Sequence, residues 1–176
     1  MKKLILLLSL VFLTTELVAQ EKYGKTLNFG GGLSYSRYAP LPIPALNLNY
    51  EFDIAPNTTL GPYLSILHHN DYGYNYLGKK YKYSNTIVPV GVKSYYYFDG
   101  LFNWDKRFDV YAGLAVGFNI AFGRWENGYN GPVYNPTYNP FYAQLHAGGE
   151  YHFKDNLGVY VDLSTGLSTV GLAFHL

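Results

Sequence analysis

RFDVYAGLAVGFNIAFG, residues 107–123, is the stretch on which the fold turns. Its even positions are Phe108, Val110, Ala112, Leu114, Val116, Phe118, Ile120 and Phe122, all apolar. Its odd positions run Asp109, Tyr111, Gly113, Ala115, Gly117, Asn119, Ala121 and Gly123, each small or carrying a polar group. Side chains alternate between the two faces of a strand, so a period of two marks a strand with one wholly apolar face. A helix would need a period of 3.6, and each interior glycine would cost it up to about 1 kcal/mol.

The alternation recurs along the chain. It is clear over Thr26–Tyr38, Ala45–Ile54, Phe141–Phe153, Leu157–Thr165 and Ser168–Leu176. It is less regular over Thr59–His68 and Ser84–Phe98, where Pro62 and Pro89 each remove a ladder donor. Pro89 predicts a bulge or local distortion. Eight strands result. Ala55–Thr58 and Lys154–Asn156 are short connections and Asp99–Lys106 a longer one. The opposite end has Ala39–Pro44, His69–Tyr83, Arg124–Pro140 and a tight connection around Gly166. The expected fold is all-β: an eight-stranded antiparallel up-and-down barrel, closed, with both chain ends on the short-turn side.

Alternation shows two faces but not which one is outside. A soluble barrel would turn its apolar rows inward and wet its polar rows. Here those polar rows carry about one charge per strand and many glycines and alanines, which suit a crowded interior. Charged residues make up only 14% of the chain, against roughly 25% in soluble domains. Aromatics reach 19%, with 20 tyrosines, and gather towards strand ends as membrane interfaces favour. The strands reach the ~9–11 residues that a tilted membrane strand needs. Both observations point to a transmembrane β-barrel with its apolar rows in lipid.

The first 20 residues, MKKLILLLSLVFLTTELVAQ, have a basic start, a short apolar run and a small-residue end. That is the layout of a secretory signal peptide, too short in its apolar run to span a bilayer. Cleavage after Ala19 or after Gln20 fits equally. The domain reading is therefore 1–20 signal peptide and 21–176 barrel. Removing 1–20 takes away Lys2, Lys3 and Glu16 and leaves 11 basic and 11 acidic residues. Such a balance argues against nucleic acid as a partner. The chain has no cysteine, which excludes a lipoprotein anchor, disulfides and thiolate metal sites.

The signal segment, the eight alternating strands and the terminal Gly171-Leu172-Ala173-Phe174-His175-Leu176 resemble the small outer-membrane β-barrel superfamily of Gram-negative bacteria, the OmpA- and OmpX-like barrels. The resemblance implies residence in the outer membrane after export. It also implies insertion by the outer-membrane assembly machinery, which recognises a C-terminal strand often ending in an aromatic residue. Here the last residue is Leu176, with Phe174 on the same face.

The inward rows would collect Glu51, Lys93, Asp109, His146, Glu150 and Asp162 as a lumen polar network, with Asp53 and His175 nearby. An eight-stranded lumen is just wide enough for side chains to fill, and buried charges must be paired. Lys93 is expected to pair with Glu51, Glu150 or Asp162. No catalytic residue, cofactor or metal is expected. No histidine stands two places before a serine, as lipid A deacylases require. Ser164 and Asp162 share a face, but the sequence assigns no histidine beside them. His68 and His69, adjacent and so pointing oppositely on a strand, make a poor chelate and read as the start of a loop. Asn57-Thr58-Thr59 reads as turn chemistry.

The external loops carry the strongest binding signal. Residues 71–85 hold five tyrosines and three lysines, and residues 124–142 repeat Tyr-Asn three times. Tyrosine and asparagine give rigid amphipathic contact area. Expected contacts are Lys79, Lys80, Lys82, Trp125, Tyr129, Tyr134 and Tyr138, meeting lipopolysaccharide, a surface ligand or a protein partner. The functional expectation is a structural or surface-interaction barrel. The alternatives are a small channel for ions or hydrophobic molecules and, third, a lipid A-modifying enzyme.

Overall fold

The computed structural model describes residues 24–35, 42–98, 107–131 and 139–176. The eight strands are β1 (Lys25–Ser34), β2 (Ile43–Ala55), β3 (Thr58–Tyr74), β4 (Lys80–Tyr97), β5 (Phe108–Trp125), β6 (Phe141–Lys154), β7 (Leu157–Ser164) and β8 (Leu167–His175). Each pairs antiparallel with its sequence neighbours, and β1 pairs with β8 to close the barrel. Closure leaves no unpaired sheet edge around the ring, the condition for strands to cross a bilayer. Thr26 lies opposite His175, so both ends of the barrel domain fall on the short-turn side.

The opening stretch becomes β5. Leu114, Val116, Phe118, Ile120 and Phe122 are exposed on its outer face, and Asp109, Tyr111 and Ala115 are buried in the lumen. The outer face is apolar all the way round, with Phe29, Leu48, Leu64, Val92, Val161 and Leu172 among its members. Phe52, Tyr96, Phe108, Phe153 and Phe174 stand exposed near the short-turn end and form the aromatic girdle of that interface. An exterior of this kind is stable only in lipid. The chain is a transmembrane β-barrel.

Three strands are longer than the sequence suggested. His69–Tyr83 was expected to be a loop, yet β3 runs on to Tyr74 and β4 begins at Lys80. Pairing continues from His69↔Asn85 up to Tyr74↔Lys80, so only a tight turn around Asn75–Lys79 remains. The turn is held by Asn75, whose side-chain oxygen accepts from the backbone N–H of Leu77 and Lys79. Gly78 there has φ of 76°, a conformation glycine adopts without strain. β5 follows β4 to the Tyr83↔Trp125 pair, while its pairing with β6 stops at Phe118↔Phe141. β7 and β8 turn at Gly166, far lower. A three-stranded wall of β3, β4 and β5 therefore rises on one side of the barrel mouth. Pro89 causes no shift of register on either side: it pairs with Asn119, and on the β3 side the ladder lapses between Leu64↔Val90 and Leu67↔Ile87 and resumes in step. The irregularities fall instead at Asp53/Ala55 and His152/Lys154, next to the short turns.

The lumen is filled by tyrosine set against glycine. A β-carbon at Gly113 would press on the Tyr95 ring, one at Gly148 on Tyr111, one at Gly117 on the Tyr142 hydroxyl and one at Gly30 on the Tyr160 hydroxyl. Each missing side chain on one strand gives room for a ring from another. That pairing accounts for a chain rich in both residue types.

Candidate functional site: a polar plug beneath an open cup

Two buried carboxylates organise the middle of the lumen. Glu51, from β2, accepts hydrogen bonds from Asn28 (2.5 Å), Asn49 (2.7 Å), Thr59 (2.8 Å) and Tyr97 (3.2 Å). Asp162, from β7, receives Lys93 Nζ at 3.4 Å and the Tyr95 hydroxyl at 2.8 Å, and lies 3.0 Å from His146 Nδ1. Glu51, Lys93, His146 and Asp162 are all buried. The Lys93 ammonium also lies 4.8 Å from the centre of the Tyr63 ring. Between the two clusters the residual cavity is about 10 Å³, lined by Asn28, Glu51, Lys93, Tyr95 and Asp162 among others. That is room for about one water molecule. Asp109 and Glu150 lie closer to the short-turn end: Asp109 Oδ2 is 2.6 Å from His152 Nε2, and Glu150 Oε1 is 2.7 Å from His175 Nε2.

Sequence reasoning left His146 without a place beside Ser164 and Asp162. The register puts His146 directly opposite Ser164, and its ring contacts Asp162. The three residue types of a hydrolase triad are thus neighbours. The nucleophile and base are not connected, however. Ser164 Oγ donates to the Leu167 carbonyl and accepts from the N–H groups of Gly166 and Leu167, which ties it into the β7–β8 turn. His146 Nε2 is buried and meets no hydrogen-bond partner. A serine nucleophile needs its base within hydrogen-bond reach.

Above the plug, the Tyr63 and Tyr142 hydroxyls bond across the lumen. Ile43, Ala45, Leu67, Ile87 and Leu167 then form an apolar collar. It surrounds a cavity of about 400 Å³ that also touches Ser34, Tyr35, Asn119 and Gln144. Among the described residues the cup is open at the mouth, with the Tyr63–Tyr142 contact beneath it.

Among the expected contact residues, Lys79 lies in the turn, while Lys80 and Lys82 lie on β4 rather than in a loop, with exposed side chains. Lys80 Nζ sits 4.0 Å from the centre of the Tyr72 ring, and Lys79 Nζ sits 5.2 Å from that of Tyr81. Arg124 pairs across with Ser84, so Lys80, Lys82 and Arg124 share the outer face of the wall beyond the lipid-facing Phe122. Trp125 and Tyr129 belong to an aromatic stack at the top of the wall. Their rings stack at 3.8 Å, and Tyr83 and Tyr81 pack against them at 4.8 and 5.5 Å on the lumen side of the wall. Trp125 sits on the inward row of β5, so once the strand continues that far its ring must point inward. Tyr134 and Tyr138 lie outside the described residues.

Solved structures with this fold include the outer membrane protein OprG from Pseudomonas aeruginosa, with a TM-score of 0.56 and 11% identity over 89% of this chain and 98% of that one. Neisserial surface protein A, NspA, gives 0.55 and 11% over 86% and 96%. A de novo designed transmembrane β-barrel gives 0.51 and 12% over 90% and 100%. No protein-family profile and no curated protein sequence matches the chain. The fold is that of the eight-stranded outer-membrane β-barrels. Because a designed barrel shares it, the fold by itself specifies no activity.

Proposed function

We propose that this is a non-enzymatic surface protein of the Gram-negative outer membrane, exported by its signal peptide, that works through the wall formed by β3, β4 and β5. One observation carries the reading. Lys80, Lys82 and Arg124 line the outer face of the wall directly beyond the lipid-facing row, next to exposed Tyr72 and Tyr74. Cations at that height meet the phosphate-bearing headgroups of lipopolysaccharide through charge-assisted hydrogen bonds. The tyrosines add rigid contact area to sugar or to a partner. The plugged lumen speaks for the surface rather than a conduction path, and the Ser164 hydrogen bonds speak against acyl transfer.

The test is titration of the folded barrel in detergent with fluorescent lipopolysaccharide, intact and with its lipid A dephosphorylated. The variant K80Q/K82Q/R124Q should bind intact lipopolysaccharide at least tenfold more weakly, and dephosphorylation should weaken the wild type as much. Equal binding by wild type and variant would refute the reading. Replacing residues 71–83 with Asn-Gly, which closes the hairpin at the Asn70↔Ser84 pair, should also abolish binding while the barrel keeps its heat-modifiable gel mobility.

A further inference from the structure

The short-turn end of the lumen holds a second cluster that the plug does not require. Glu150 and His152 are two residues apart on the inward row of β6, and His175 projects from β8. Glu150 Oε1 is 2.7 Å from His175 Nε2 and 3.7 Å from His152 Nδ1. One ligand atom from each of the three residues lies within 4.8 Å of the others. A tetrahedral ion with bonds of ~2.0–2.1 Å sets its ligand atoms about 3.3 Å apart, so side-chain shifts of up to about 1 Å on each residue would seat one.

We propose that Glu150, His152 and His175 bind a divalent transition metal of the Zn²⁺ class. Two features beyond the clustering support this. First, the far nitrogen of each imidazole already has a partner. His152 Nε2 faces Asp109 Oδ2 at 2.6 Å, and His175 Nδ1 faces the Thr26 hydroxyl at 3.1 Å. Metal-bound histidines almost always have their other ring nitrogen held in this way, which fixes the tautomer and aims the ligating nitrogen. Second, β7 lies between Glu150 and His175, and the residue there is Gly158. A β-carbon at Gly158 would overlap the Glu150 carboxylate. The gap in the wall lets that side chain cross to the histidine.

Two imidazoles and one carboxylate form a three-ligand set of the kind that leaves a zinc ion a fourth position for water. Both imidazoles are partly exposed, so the ion has access from the short-turn end, the periplasmic side in the proposed orientation. Asp109 and Thr26 act as positioning residues. The cluster departs from the sequence expectation of no metal because its members come from two regions of the chain, β6 and β8, that only the β6–β7–β8 register brings together.

The experiment is calorimetric titration of the untagged, folded barrel in detergent with Zn²⁺, alongside Co²⁺ absorption spectroscopy. One equivalent should bind, and Co²⁺ should show the intense visible bands of a low-coordinate N/O site. H175Q and E150Q should each weaken Zn²⁺ binding more than tenfold, D109N by about tenfold, and H68Q, on the outer face of the wall, not at all. G158A should weaken binding as E150Q does. Heat-modifiable gel mobility identifies which variants are folded, and those alone are compared. No saturable binding by the wild type would overturn the proposal. So would binding that survives both H175Q and E150Q, or that is lost equally in H68Q.

Discussion

Replacing Asp162 with alanine should be the most damaging single change in the plug, and it should be worse than removing its lysine. Asp162 accepts from Lys93 and Tyr95 and contacts His146, all within 3.4 Å, and both ion-pair side chains are almost fully buried, at 3% and 2% exposure. Without the carboxylate, the Lys93 ammonium keeps no hydrogen-bonded counter-charge, only the aromatic faces of Tyr63 at 4.8 Å and Tyr95 at 6.0 Å and the more distant Glu51 across the small cavity. A buried charge stripped of its partner costs about 3–5 kcal/mol. Lys93→Met is different. It removes a cation and leaves Asp162 with the Tyr95 hydroxyl and His146, so its cost should be smaller by about 2 kcal/mol, the worth of one hydrogen bond to a charged group. In D162A/K93M neither member of the pair is left without the other, and the double variant should recover about 1–3 kcal/mol relative to the sum of the singles. The assay is urea unfolding in lipid vesicles, followed by intrinsic fluorescence and by gel mobility without boiling. Equal costs for D162A and K93M, or strict additivity in the double variant, would refute the view that Asp162 is the hub.

Two further predictions address packing and lipid exposure, measured by the same unfolding assay. Gly113→Ala should destabilise the barrel by about 1–3 kcal/mol, since its β-carbon would strike the Tyr95 ring, whereas Gly31→Ala, whose nearest neighbour would be 3.8 Å away, should change stability little. Val116→Lys, at mid-depth on the lipid face, should cost about 2–4 kcal/mol, and Phe122→Lys, near the interface, about 0–1 kcal/mol.

The barrel was legible because its signal is covalent and local. A period of two on β2, β5, β6, β7 and β8 requires nothing from the rest of the chain. The inward placement of Glu51, Lys93, Asp109, His146, Glu150 and Asp162 follows from parity alone. The height of the wall was less legible. In 69–83 the outer row is Asn70, Tyr72, Tyr74, Lys80 and Lys82, which is too polar for lipid. Such polarity suits a loop, but a strand that leaves the membrane has the same reason to be polar. Gly73 hints at the continuation: a β-carbon there would strike the Trp125 ring, so the glycine marks a strand that must pass close to an inward aromatic. The His146–Ser164 and Glu150–His175 meetings depend on the register across β6, β7 and β8. No single segment encodes that register.

The two halves of the molecule solve opposite problems. In the lower lumen many inward positions are set by their neighbours: glycine where a tyrosine crosses, a carboxylate where several donors converge. Between the Glu51 and Asp162 clusters this leaves room for about one water molecule, and packing that close gives the barrel rigidity. Above the Tyr63–Tyr142 contact these constraints lapse. β7 and β8 stop, the cup opens to about 400 Å³, and among the described residues β3, β4 and β5 continue alone. Their cohesion comes from the inward stack of Tyr81, Tyr83, Trp125 and Tyr129, so the outward row is released from packing duty. An outer row that bears lysine, arginine and tyrosine while the inner row does the packing is free to meet a ligand without weakening the wall. For that reason the outer face of the wall, rather than the cup or the plug, is where substitutions should change binding and leave the fold intact.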